Sequence, residues 1–258
     1  MRTSARNKKF LPGSKSTKDY APIQAYGETN LGLVRENNED AYIVMEQSLV
    51  YAVADGLGGL PEGDIASSLA VAEVQKCALA LKPKEKIDFE VLFSCINQSV
   101  YNKGMSIDAK VGIGTTLTVS QILGGTLHIG HVGDTGVYLL RDDKLQKLTV
   151  DHTLAQSILD TVKPNDPIPK IPDYFHHTLT RCMGHPSAVQ VDCISIALAP
   201  KDKILMYSDG ITKVISQAQL VPILNTSQSP KIAIKTIIAL ANESGGPDNI
   251  TGIALFVK

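Results

Sequence analysis

Residues 115–140, TTLTVSQILGGTLHIGHVGDTGVYLL, decide the architecture. Three runs of apolar and β-branched residues, 115–122, 126–132 and 136–140, follow one another with only turn residues between them, and Gly124-Gly125 parts the first pair. Paired glycines supply the positive φ angles of a tight hairpin, so the stretch predicts an antiparallel meander, continued by a short strand near Leu145. Working outward, 41–46 (AYIVME) and 49–54 (LVYAVA) predict a second hairpin with Gln47-Ser48 as its connection. Further strands are expected at 189–197, 203–208 and 250–257. Apolar residues at helical spacing predict helices over 64–81 and 89–101, parted by Pro83, and near 217–224 and 230–242. Strands gathered in blocks, with pairs of helices between the blocks, point to an α+β layered fold with sheet packed on sheet and helices outside. Residues 161–176 hold four prolines and little apolar periodicity, and are expected to form an irregular surface insertion.

With 258 residues, 43% of them hydrophobic and 20% charged, the chain can bury one substantial core, and one folded domain is expected. No run approaches the roughly 18 apolar residues of a membrane span, and the basic, polar N-terminus has no apolar segment behind it. Neither a membrane span nor a secretory signal is expected, and the cytoplasm is the expected location. The formal charge of -1 hides an asymmetry: residues 1–19 contain six Lys or Arg and one acid, so this arm carries +5 and the remainder -6. Residues 1–21 read as a flexible basic extension ahead of a folded domain over 22–258, and they lack the aromatic-basic interleaving of a nucleic-acid contact. Cys77, Cys95, Cys182 and Cys193 form no C-x-x-C pair, which argues against structural zinc and predicts buried free thiols. Nothing in the sequence demands more than a monomer.

Acids recur beside glycine or at the end of an apolar run: Asp55 in VYAVADGLGG, Asp134 in HIGHVGDTG, Asp209 in ILMYSDG and Asp248 in GGPDNIT. Asp40, in RENNED, leads into the first strand. Each alone reads more readily as a turn or capping residue. Together they read as a metal site, because a carboxylate beside apolar strand residues loses hydration and needs a compensating cation. Magnesium and manganese take a few carboxylates plus several waters, and adjacent glycines leave room for carbonyls and water to approach. Two such ions sharing a water would make it a nucleophile at neutral pH.

Arg35-Glu36-Asn37-Asn38-Glu39-Asp40, Val53-Ala54-Asp55-Gly56-Leu57-Gly58-Gly59, Gly112-Ile113-Gly114-Thr115-Thr116, Val132-Gly133-Asp134, Leu205-Met206-Tyr207-Ser208-Asp209-Gly210 and Gly246-Pro247-Asp248-Asn249-Ile250-Thr251 occur in this order. Together they resemble the metal-dependent protein phosphatases of type 2C, in their compact bacterial form, from about Tyr26 to the C-terminus. The resemblance implies a four-layer α-β-β-α sandwich of two antiparallel sheets flanked by helix pairs. It also implies hydrolysis of phosphoserine and phosphothreonine in protein substrates of a Ser/Thr kinase, by attack of a metal-bridging water. By the same resemblance Asp55 bridges two Mn2+ or Mg2+ ions, the Gly56 carbonyl lies on one of them, and Asp209 and Asp248 complete the first site. Glu39 and Asp40 act through metal-bound waters, a third and weaker ion is held partly by Asp134 and shares Asp209, and Arg35 binds the substrate phosphate. A guanidinium fork suits two phosphate oxygens, whereas the plainer reading of Arg35 is a surface ion pair with Glu36 or Glu39.

The chain departs from that pattern in three places. Leu57 stands where many eukaryotic members carry a histidine proposed as general acid. Thr135-Gly136 replaces the usual Ser-Arg. Residues 154–180, aligned with the mobile flap beside the active site, are rich in proline until Leu179-Thr180-Arg181 restores the pattern. His152 reads as a hydrogen-bonded structural histidine, and His176 and His177 as exposed residues of the insertion. Two other functions fit the residues: a phosphoesterase acting on a small metabolite, and an inactive binding module that keeps the fold without the chemistry.

Overall fold

A computed structural model describes residues 22–58, 60, 62–163, 166–167 and 169–258. The expected basic extension over 1–21 lies outside the described residues. In chain order the elements are β1 (Ile23–Asn30), β2 (Asp40–Met45), β3 (Val50–Asp55), α1 (Gly63–Ala80), α2 (Phe89–Ile107), β4 (Leu117–Leu123), β5 (Thr126–Val132), β6 (Gly136–Arg141) and β7 (Lys144–Lys147). There follow α3 (Leu154–Leu159), a 3-10 turn (Asp173–His176), β8 (Asp192–Ala197), β9 (Lys203–Tyr207), α4 (Asp209–Thr212), α5 (Gln217–Thr226), α6 (Pro230–Glu243) and β10 (Ile250–Val257). Two five-stranded sheets result, ordered β1-β10-β9-β6-β7 and β2-β3-β4-β5-β8, and every strand pair in them is antiparallel.

Alternation along the strands makes the layers. In β3, Val50, Ala52 and Ala54 pack with Ala70, Val74, Phe93 and Ile96 of α1 and α2, while Tyr51 and Val53 point the other way. In β10, Ala254 and Phe256 pack with Leu220, Ile234 and Ile237 of α5 and α6, while Ile253, Leu255 and Val257 join Tyr51 and Val53 between the sheets. Side chains of period two therefore cover both faces of each sheet with apolar surface, and each fully buried Ile, Leu or Val contributes about 1.5–3 kcal/mol by leaving water. The layered α+β fold expected from the block pattern forms, as the α-β-β-α sandwich that the resemblance implies.

Three expectations change. The run 115–140 is not one meander: β4 and β5 pair as a hairpin, but β6 leaves for the other sheet, where it pairs with β7 and β9. The break falls at Gly133, whose φ of 112° suits glycine alone and whose hydrogen would, if replaced by a Cβ, meet the Thr116 side chain at 2.5 Å. Second, α2 runs past Tyr101 to Ile107, because Gly104 is not a stop; it is where the helix backbone closes on the Gly112-Ile113 chain, with a notional Cβ only 2.7 Å from the Ile113 amide. Third, the cysteines are free but not buried: Cys95 and Cys193 are exposed, and Cys77 and Cys182 are partly covered. Cys77 and Cys95 lie on α1 and α2, Cys193 on β8 and Cys182 in the loop before β8, so residue type alone misjudges their depth.

Candidate active site

All the acids singled out in the sequence gather at one rim of the sandwich. Asp40 opens β2 and Asp55 closes β3, Asp209 follows β9, Asp248 precedes β10, and Asp134 lies in the crossing from β5 to β6. Asp55, Asp134, Asp209 and Asp248 line, with Arg35, Glu39, Gly56, Leu57, Thr116, His177 and Lys213, a cavity of about 230 Å³, and Asp40 stands opposite Asp55 in the β2–β3 register.

Local chemistry fixes each one. The Asp55 amide donates to Thr116 Oγ1 at 2.9 Å, and Thr115 Oγ1 donates to the Asp55 carbonyl at 2.9 Å, so the end of β3 is stapled to the Gly-Thr-Thr segment. Gly56 is obligatory: a Cβ would lie 2.3 Å from the Gly63 carbonyl where α1 begins. Asn249 Nδ2 donates to the carbonyls of Leu31 and Asn37 while its Oδ1 accepts from the Glu39 amide, tying the Asp248 loop to the loop that carries Arg35 and Glu39. Ser208 Oγ donates to Asp40 Oδ2 at 2.6 Å.

The electrostatics are those of carboxylates short of cations. Asp40 is 8% exposed, and burial followed by the charges of Asp209 and Asp248 pushes its carboxyl up to about 7, against the Ser208 bond that lowers it. Burial and the neighbouring Asp209 and Asp151 push Asp134 up to about 7 as well. Asp55 keeps some surface open to the cavity, but its depth and its neighbours Asp40 and Asp209 hold its carboxyl well above the usual range. Asp209 goes the other way: burial, which alone would raise it, is outweighed by His177 and Lys213. Two oxygens, Asp40 Oδ1 and Asp209 Oδ1, are buried without any hydrogen-bond partner, which costs on the order of 1–3 kcal/mol each unless a cation takes them.

Basic residues meet the outer acids. Arg35 forks onto Asp248, Nε to Oδ1 at 2.8 Å and Nη2 to Oδ2 at 3.0 Å, so the surface pair with Glu36 or Glu39 is not what forms. Lys213 Nζ lies 2.7 Å from Asp209 Oδ2 and also bonds Asp248 Oδ2. With these cations on the acids, no three His, Cys, Asp or Glu side chains among the described residues are already arranged around one point as an ion would require. The orphaned oxygens and the buried, uncompensated Asp40 and Asp55 nevertheless suit hard divalent ions, which bind oxygen donors and bring the missing charge.

A family model described as protein phosphatase 2C matches residues 34–232. This chain belongs to the protein phosphatase 2C family. Among relatives of this protein phosphatase 2C chain, the serine/threonine phosphatase stp of Listeria innocua is 31% identical over 241 residues, covering 89% of this chain and 94% of that one. The solved serine/threonine phosphatase of S. agalactiae superposes with a TM-score of 0.81 at 26% identity, covering 92% and 100% of the two chains. The catalytic domain of the serine threonine protein phosphatase PstP, solved in complex with two manganese ions, superposes with a TM-score of 0.75 at 27% identity, covering 91% and 98%. Among the described residues no helix is long and apolar enough to cross a membrane.

Within this protein phosphatase 2C fold, several neighbours of the acids escape sequence reading. Lys213 was legible only as the residue one helical turn after Asp209, and nothing in DGITK says that its ammonium turns inward. His177, expected to be an exposed member of the insertion, is half exposed yet comes within 3.6 Å of Asp209 Oδ2. Along the 154–180 segment α3 and the 3-10 turn pack on each other, and just before it His152 accepts from the Gly133 amide at 3.0 Å and meets Asp192 at 3.1 Å. That is the structural role expected of His152. Arg181 pairs with the other oxygen of Asp192 at 2.7 Å.

Proposed function

We propose that this protein phosphatase 2C chain removes phosphate from phosphoserine and phosphothreonine in proteins, opposing a Ser/Thr kinase in the cytoplasm, with two manganese or magnesium ions as cofactor. The observation that carries the reading is the set of buried, uncompensated carboxylates around one cavity lined also by Arg35, whose side chain is 41% exposed. Asp55, Asp209, Asp248 and the Gly56 carbonyl would hold the ions directly, with Glu39 and Asp40 acting through waters. When bound, the ions supply an acidified water and neutralise charge on the phosphate.

The chain's own residues supply the rest. Arg35 stays charged at any working pH, because the pull of Asp248 outweighs the burial that would lower its pKa, and its planar donors suit non-bridging phosphate oxygens. Asp248 anchors that guanidinium from behind, so the phosphate meets a fixed group and not a free side chain. Leu57 and Leu179 add apolar contacts to a cavity wall that is otherwise polar and charged. The 22–258 segment serves as the catalytic domain and 154–180 as its flap, with a monomer sufficient for activity. The test is phosphate release from phosphoserine, phosphothreonine and phosphotyrosine peptides with Mn2+, with chelator, and with Asp209→Asn. Release from the serine and threonine peptides, abolished by chelator and strongly reduced by the substitution, is expected. A folded, manganese-loaded protein that releases no phosphate would sink the enzyme and leave only the fold.

A further inference from the structure

The chain just before Arg35 carries apolar side chains that the fold leaves uncovered. Leu31, Leu33 and Val34 are 39%, 67% and 66% exposed, and Arg35 follows directly. Single exposed apolar residues need no explanation, but a run of them beside a cavity marks a surface that meets another molecule.

This stretch is held in place. The Leu33 amide donates to the Gly246 carbonyl at 2.8 Å, Asn249 Nδ2 donates to the Leu31 carbonyl at 2.9 Å, and the Gly32 amide donates to Asn30 Oδ1 at 3.0 Å. Gly32, at a φ of 79°, runs so close to the Asp248 carbonyl that a Cβ would approach it to 2.2 Å. Three of these four anchors lie in the 246–249 loop, which carries the Asp248 carboxylate onto which Arg35 forks. The backbone under the apolar side chains is therefore fixed relative to the guanidinium, and a partner that covers them need not order the loop first.

Position selects the partner. Leu33 and Val34 stand two and one residues before Arg35, so at most about 7 Å of chain parts them from it. A phosphorylated residue bound at Arg35 brings its own neighbours along the chain within reach of them, because extended chain advances only about 3.3–3.6 Å per residue. The exposed Glu36 on the other side of Arg35, with Glu39 and Asp248 nearby, disfavours an anionic lipid surface as the occupant.

Resting on the functional reading above, we propose that Leu33 and Val34, with Leu31 at the edge, form a ledge that selects phosphoproteins whose phosphoserine or phosphothreonine is flanked by bulky apolar residues. The ledge touches residues that do not react, so it grips ground state and transition state alike. Its contribution therefore appears in KM and not in kcat.

The experiment measures kcat and KM at saturating Mn2+ for three phosphothreonine peptides. They carry leucine and valine just before the phosphothreonine, just after it, or serine on both sides. Wild type is expected to favour an apolar-flanked peptide over the serine peptide by about 5- to 30-fold in kcat/KM, through KM. Leu33→Ser combined with Val34→Ser should bring that ratio close to one. Leu79→Ser should keep it, because Leu79 is 70% exposed but lies 16 residues along α1 from Gly63, about 24 Å from the rim where the helix begins. Ratios taken within one protein cancel any change in folded fraction or metal loading. Equal kcat/KM for all three peptides in wild type would overturn the proposal, and so would a preference that survives in the double variant. Should the double variant fail to fold, Val34→Ser alone must lower the ratio. A wild-type dimer in sedimentation that the double variant dissociates, with no peptide preference, would assign the patch to a second copy of the chain and also overturn it. No phosphate release from any of the peptides with manganese bound would sink the functional reading itself, and the ledge with it.

Discussion

Asp40 and Asp55 stand directly opposite each other in the β2–β3 register, two acids paired across neighbouring strands at the rim of the sandwich. Like charges in that position repel, and here both are surrounded by apolar strands, so the fold tolerates the pair at a cost that a divalent ion would remove. Asp40 and Asp134 are each raised from 3.8 to about 7. A raised carboxyl contributes stability that is present below its unfolded value near 4 and is lost as pH rises through 7. The protein kept in chelator should therefore lose stability between pH 5 and pH 8, by on the order of a few kcal/mol, in urea titrations at fixed temperature. Asp40→Asn should flatten that decline.

Manganese should reverse it. An ion that binds only the folded chain stabilises by about 2.7 kcal/mol at 100 times its dissociation constant. At pH 7.5 the melting temperature is expected to climb with Mn2+ in the wild type and to climb far less in Asp55→Asn, even though the variant, relieved of one charge, should start higher in chelator. A wild-type melt indifferent to Mn2+ would contradict the assignment of Asp55 to the ions.

How far the sequence reached can be judged at particular residues. The acids were legible because each follows or precedes an apolar strand, and strand ends meet at a rim. The two sheets were legible because strands such as β3 and β10 carry apolar residues on both faces. The crossing of β6 was not, since GDTG reads as an ordinary hairpin turn and only the conformation of Gly133 sends the chain to the other sheet. β1 escaped because IQAYGETN mixes polar and apolar residues, its pairing partner β10 lying at the far end of the chain. Lys213 and His177 escaped for a related reason: side-chain direction is decided by the acids they meet in space, which no local pattern encodes.

His131 offers a pH dependence of opposite sign. It is fully buried between Thr118, whose Oγ1 lies 2.8 Å from Nδ1, and the Val150 carbonyl, 3.1 Å from Nε2. Burial, with His152 alongside, lowers its pKa to about 3. A lowered pKa gives stability that is full above the unfolded value near 6.5 and is lost as pH falls toward 3, at up to about 1.4 kcal/mol per pH unit. His131→Gln, which keeps a donor for Val150, should be less stable than wild type at pH 7.5 but close part of that gap by pH 5. Both proteins share the rim carboxylates, so the difference between their urea stabilities isolates the histidine. A gap that does not narrow would show that His131 is not held neutral.

Gly136 explains one departure from the family pattern. A Cβ there would lie 2.4 Å from the Tyr207 hydroxyl and 2.5 Å from the ring carbon that bears it, and Tyr207 stacks on Tyr138 at 4.9 Å between ring centroids. The glycine and the tyrosine therefore go together: this chain fills with a ring from β9 the space that a side chain at 136 would need. Gly136→Ala should destabilise by about 1–3 kcal/mol through overpacking. In a Tyr207→Val background the same change should cost much less, and the coupling in the double-mutant cycle measures the contact. Equal costs in both backgrounds would place the strain elsewhere, Thr149 being the next neighbour.

Arg35 is the residue on which the reading of the substrate as a phosphate rests most directly. Its fork onto both oxygens of Asp248 fixes the guanidinium at the cavity mouth, and 41% of the side chain's surface remains open. A charge-assisted bond to a phosphate oxygen is worth about 1.5–3 kcal/mol, so Arg35→Met should lower kcat/KM on a phosphothreonine peptide by roughly 10- to 150-fold at saturating Mn2+. Arg35→Lys should recover only part of it, because an ammonium cannot span both Asp248 oxygens and still present planar donors to the phosphate. If the guanidinium grips ground state and transition state alike, the loss appears in KM; if it meets mainly the charge that develops on the phosphate, kcat falls with kcat/KM. Wild-type kinetics in Arg35→Met would remove Arg35 from the site and leave the Asp248 contact as a structural pair.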